Sequence, residues 1–201
     1  MNLIERILHF FNSKKEEVSL IELDAIYFHE DSYNQVELIP RRNLFYLRKE
    51  NESINNFAEE NFDGFGFKDI HVREENPVKL IDQEIKFIHL DIILTKYSIT
   101  KSQNVYTGYS SERWKCDNTF AYTVTENANL FTIVKGDFIE SIWIDDFRFF
   151  EDGKIKLIMK NILLDIGSHF DLILNDWNLC KTIDLKKATQ IEMYLNEELE
   201  D

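Results

Sequence analysis

The stretch KIKLIMKNILLDIGSHFDLILNDWNLCKTIDLKKATQIEMYL, residues 154–195, decides the fold. Ile155, Ile158, Met159, Ile162, Leu163 and Ile166 recur at three- and four-residue steps, which places them on one stripe of a helix and requires a core opposite that stripe. Gly167 follows the last of them, where a residue free to enter the left-handed region is expected to cap the helix. The period then changes. FDLIL, residues 170–174, is short and apolar and is bounded by Asn175 and Asp176, both turn formers, so it is expected to be a strand. Residues 177–183 are expected to return as a second strand, and Asp184 is placed to cap the helix whose buried stripe is Leu185, Ala188, Ile191 and Leu195. Residues 154–199 therefore predict a helix-strand-strand-helix block, an architectural unit more than a site.

Upstream, 119–125, 130–134 and 138–144 are β-rich segments separated by Glu126-Asn127 and Gly136-Asp137, a spacing that predicts an antiparallel meander. The polar run before it, 98–113, reads as a loop. Residues 78–97 admit a helix and a strand or two strands, and their Ile-rich content favours a strand over 88–95. Residues 63–66, Asp-Gly-Phe-Gly, read as a turn, and 67–72 as a strand. A helix is expected after Pro40, with Leu44, Leu47, Ile54, Phe57 and Ala58 on one face and a break near Asn51. Residues 18–28 and 33–39 read as a hairpin, and Leu3, Ile4, Ile7, Leu8 and Phe11 predict a helix over 2–12. The sum is a single α+β domain of 201 residues, a mainly antiparallel sheet flanked by helices.

The formal net charge is −14, and it is unevenly spread. Residues 1–66 hold 7 basic and 13 acidic side chains, 67–133 hold 8 and 9, and 134–201 hold 8 and 15. A field of this sign repels nucleic-acid backbones and anionic membranes and attracts cationic partners. No run reaches the roughly 18 to 20 apolar residues of a membrane span. Cys116 and Cys180 have neither CxxC nor Cys-His spacing, so neither a zinc site nor a disulfide framework is expected. The compartment expected on these grounds is the cytoplasm, and no cofactor is expected.

Three constellations carry candidate chemistry. Asp69 with Glu84-Ile85-Lys86 has the composition of a metal-dependent nuclease or hydrolase core, in which carboxylates on adjacent strands hold a divalent ion and a lysine orients water. An E-x-K triplet is common in charged chains, however, and the net charge opposes DNA. His29-Glu30-Asp31, His71, and His89 with Asp91 offer metal-ligating atoms without the spacing of a known site type. His169 is placed to bond the last carbonyls of its helix. Lys115 stands beside Cys116, where it would lower a thiol pKa.

The segment with interaction character is DFIESIWIDDFRFFED, residues 137–152. It interleaves Asp137, Glu140, Asp145, Asp146, Glu151 and Asp152 with Phe138, Trp143, Phe147, Phe149 and Phe150. Aromatic anchors ringed by carboxylates suit a basic protein partner, whereas a strand with alternate residues facing core and solvent would produce part of the same pattern. The function expected is therefore that of an acidic protein-binding module, most concretely an immunity-type inhibitor that neutralises a basic bacterial toxin. The alternative is a metal-dependent hydrolase using Asp69, Glu84 and Lys86.

Overall fold

Ile142, Trp143 and Ile144 are consecutive and all buried, which a strand with one wet face does not permit. The chain solves this by covering both faces of its main sheet. In the computed structural model, which describes residues 24–109, 112–125, 128–145 and 152–198, ten strands are seen. They are β1 (Ile26–Tyr27), β2 (Val36–Pro40), β3 (Thr100–Ser102), β4 (Val105–Tyr109), β5 (Glu112–Lys115), β6 (Thr119–Thr123), β7 (Asn129–Lys135), β8 (Phe138–Asp145), β9 (Leu172–Asp176) and β10 (Lys181–Ile183). Seven form an antiparallel sheet in the order β10-β9-β2-β8-β7-β6-β3, and β1-β4-β5 form a second, smaller sheet. Four helices complete the described residues: α1 (Leu44–Asn61), α2 (Phe87–Thr95), α3 (Gly153–Phe170) and α4 (Ala188–Leu195). This is the α+β architecture expected, with β6, β7 and β8 as the meander.

Side chains alternate along a strand, so β8 serves two cores. Ile142 and Ile144 join Leu38, Leu130, Met159, Ile162 and Leu174 beneath the helices. Trp143 points the other way, stacked on Phe131 at 5.1 Å and edge-on to Phe28 at 5.4 Å, in a smaller core with Val105 and Cys116 of the second sheet's side. A third cluster, Ile39, Leu47, Ile173 and Trp177, is closed by Leu44, Tyr46 and Ile54 of the first helix.

The C-terminal block forms in the predicted order, with three corrections, the first being that Asn175 and Asp176, expected to bound the strand as a turn, lie within β9. Gly167 is an interior residue of α3, and the helix ends at Asp171, which takes the left-handed conformation at φ 53°. Glycine is needed at 167 for proximity: a Cβ there would lie 2.2 Å from Leu185 Cβ. Asp184 is likewise not the helix N-cap, which is Lys187. Its carboxylate accepts from Lys186 N at 2.9 Å and holds the Arg41 guanidinium, with Arg41 Nη1 at 2.8 Å and a second, shorter bond from Nη2. Arg41 Nε also meets Asp171 Oδ1 at 3.0 Å, so one cation joins the β2 end to the α3–β9 and β10–α4 junctions of the block.

Elsewhere the structure departs from expectation where polarity or short length hid the period. Residues 88–95 are helical within α2, because Leu90, Ile93 and Leu94 share one buried face while Ile88 and Ile92 stay out. Residues 98–113 hold strand pairs, not a loop: β3 pairs with β6, and β4 with β5. Short strands of mixed polarity are read poorly from sequence because their state depends on strand partners and on burial that only the fold supplies, as for Val105 and Tyr106. Ile26–Tyr27 pairs in parallel with Val105–Tyr106 and so makes no hairpin with β2. Residues 67–72 carry a single bridge, Phe62 to Phe67, and no strand. α1 runs unbroken through Asn51, which is buried and donates to Asn175 Oδ1 and Thr182 Oγ1, each at 3.0 Å. The helix expected over 2–12 lies outside the described residues.

Candidate functional site

The acidic and aromatic residues of 137–145 are divided by the strand that carries them. Asp137 is exposed in the β7–β8 turn, and its carbonyl accepts from Phe87 N at 2.9 Å. Phe138 and Glu140 are half-buried. Trp143 has no exposed surface and Asp145 is buried, so neither offers a face to a partner in this fold; Trp143 is a core residue. The reason is β8's position between β2 and β7, where both of its faces are covered. Asp146, Phe147, Phe149, Phe150 and Glu151 lie outside the described residues. Asp152 caps α3, its carboxylate accepting from Lys154 N at 2.8 Å.

The strand placement expected of the hydrolase residues is not seen. Asp69 is exposed in an irregular segment, with its carboxylate accepting from Ile70 N at 2.8 Å. Glu84 closes a short 3-10 turn at φ 51°, and Lys86 sits at the N-cap of α2. None of the three belongs to a strand, so the adjacent-strand placement expected for them is absent. Among the described residues no three His, Cys, Asp or Glu side chains are gathered to hold a metal. His29 caps a 3-10 turn, its Nδ1 accepting from Asp31 N at 3.2 Å. His71 sits edge-on to Phe57 at 5.3 Å. Asp91 accepts from Tyr122 Oη at 2.8 Å and Lys101 Nζ at 2.9 Å, a structural pairing in which His89 has no part. His169 Nδ1 lies 2.8 Å from the Asp165 carbonyl, within the last turns of α3.

Cys116 reverses the expectation placed on it. Burial, followed by the neighbouring charge of Asp117, pushes its thiol up to about 12, so Lys115 does not activate it. Cys180 is also raised, chiefly by burial. Beside Cys180, Arg48, Asn51, Glu52, Lys181 and Thr182 line a shallow polar depression. The Asn51 amide there is engaged with Asn175 and Thr182, and Cys180 is itself part of the lining.

A different surface was passed over. The turn after α1, FDGFGFKDIHV at 62–72, carries Phe62, Phe65, Phe67, Ile70 and Val72, all exposed. Phe65 is fully so, at 102%. Asp63 builds the turn: its carboxylate accepts from Phe65 N and Gly66 N, both at 3.0 Å, and its own amide donates to Gly66 O at 3.1 Å. Those two amides hold the Asp63 carboxyl below the usual carboxylate range. Lys68 N donates to Asn61 O at 3.0 Å, and the Phe62 and Phe67 rings meet at 5.5 Å. The segment is then pinned by Arg73, whose guanidinium lies over Trp177 at 4.3 Å. The sequence signal was Phe-Gly-Phe inside a recognised turn: aromatic side chains on a turn too tight to bury them.

No helix of the described residues is long and apolar enough to cross a membrane. No protein-family model, curated protein or solved structure matches the chain.

Proposed function

We propose that the chain is an acidic protein-binding module, and most concretely an immunity-type inhibitor that binds and neutralises a basic bacterial toxin in the cytoplasm. The observation that carries this reading is the net charge of −14, drawn almost entirely from the first and last thirds of the sequence. Such a field accelerates encounter with a cationic protein and sets its orientation, while apolar contacts supply residence time. The placement of the candidate catalytic groups supports it too. Cys116 is buried, which pushes its thiol up, and the Asp69, Glu84 and Lys86 set is not assembled on strands.

The test is isolation from the native cell at low salt, followed by identification of what is bound. The expected result is a co-purified basic protein that, purified and titrated back, binds with a Kd in the nanomolar range and binds more weakly as salt is raised. Recovery of the chain alone, or with an acidic or neutral partner whose affinity is indifferent to salt, would refute the proposal.

A further inference from the structure

We infer that the turn spanning 62–72, and not strand 138–145, is the surface that meets a cationic protein partner. This rests on the binding-module reading and assigns its contact site. Three observations converge on the turn.

The first is apolar exposure. Phe65, Ile70 and Val72 are 102%, 83% and 76% exposed within eight residues of chain, and apolar residues left bare together mark interaction sites. Aromatic anchors of this kind dominate interface energetics when they enter a partner's pocket. The second is rigidity. The Asp63 carboxylate bonds to Phe65 N and Gly66 N, the Lys68 N–Asn61 O bond closes the base, and Arg73 on Trp177 fixes the segment to the body. A loop already held in one conformation loses little entropy on binding.

The third is charge, which selects the occupant. Between residues 57 and 76 stand six carboxylates and two cations. Of the cations, Arg73 is mostly desolvated over Trp177, which leaves Lys68 as the exposed one. Glu59, Glu60, Asp63, Asp69 and Glu74 are all exposed around the apolar residues. A second copy would bring the same sign of charge to itself, and an anionic bilayer or nucleic acid would be repelled. Residues 1–23, apolar in pattern, hold three basic and four acidic side chains and lack the cationic excess the rim selects. A basic protein with an apolar pocket satisfies both the rim and the aromatics.

The test places p-benzoyl-phenylalanine at position 65 in one variant and at position 140 in another, each expressed in the native cell and irradiated. The expected adduct forms from position 65 with a protein of net positive charge. That protein, purified, should bind the unaltered chain and lose about 30-fold or more in affinity to Phe65→Ala, while Phe65→Ala leaves the thermal midpoint of the chain unchanged. Glu59→Gln with Glu60→Gln should slow association and flatten its salt dependence. A basic-protein adduct from position 140 alone would overturn the assignment of the turn and leave the binding-module reading standing. No basic-protein adduct from either position would overturn both. An adduct from position 65 to residues 1–23, to a second copy or to lipid would overturn the assignment, as would unchanged affinity of Phe65→Ala.

Discussion

Two aromatic segments with similar composition have opposite fates. In 138–145, Trp143 goes inward because β8 lies inside a sheet covered on both faces. In 62–72, Phe65 goes outward because a turn closed by its own Asp63 carboxylate has no neighbouring layer to face. Aromatic content interleaved with carboxylates therefore does not report exposure. What reports it is whether the backbone hydrogen bonds run to other elements or close locally, since ladder pairing brings covering layers and a self-contained turn does not.

This contrast is broken most directly by Trp143→Ala. Loss of the indole stacked on Phe131 and edge-on to Phe28 should cost about 3–5 kcal/mol, read as a fall in the urea midpoint. A mild effect would mean the smaller core is not closed. Arg41→Ala comes next. It leaves the buried Asp184 carboxylate without its main partner, at about 2–3 kcal/mol, seen in the same unfolding curves.

The Arg41–Asp184 pair also sets a pH dependence. The Arg41 guanidinium holds the Asp184 carboxyl below the usual carboxylate range. Its contribution is complete above the unfolded-chain pKa of about 4 and is lost as pH falls through the lower folded-state value. The acid limb of the stability profile should therefore flatten in Arg41→Ala, and an unchanged limb would show that other carboxylates govern acid unfolding.

Gly167→Ala sharpens the comparison from the packing side. Helix propensity favours alanine by about 1 kcal/mol, but a Cβ 2.2 Å from Leu185 Cβ forces α3 away from the start of the last helix, so a net loss of about 1–2 kcal/mol is expected. A gain in stability would identify the position as an ordinary helical site. Smallest of all is Phe65→Ala, expected within about 0.5 kcal/mol of the unaltered chain, because the ring is wholly exposed. A large loss would mean the turn is packed after all.

The legible parts of the chain share a property. The apolar steps of Ile155 to Ile166, and the β-rich segments separated by Gly136-Asp137, carry their signal within a dozen residues, so α3 and the meander are read without knowing what they touch. Residues 88–95 are not legible locally because a short Ile-rich run satisfies strand and helix alike, and only the burial of Leu90, Ile93 and Leu94 in the helices' core distinguishes them. The β3, β4 and β5 strands are short and mixed in polarity, and they owe their state to strand partners and, in β4, to burial of Val105 and Tyr106. For the site, the turn at 63–66 was legible as a turn, but its role was not, since exposure depends on the layer that is or is not laid over it.

Sequence by itself determined the charge, the α+β class, the helix-strand-strand-helix order of the C-terminal block and the position of the Asp63 turn, because each follows from composition or from local periodicity. Tertiary structure alone decided that Gly167 serves close packing and not a cap, that Asp184 answers Arg41 from 143 residues away, that Cys116 is buried, and that Trp143 is hidden while Phe65 is bare. Those outcomes depend on neighbours distant in sequence, and no local pattern specifies which surfaces the fold will lay against one another.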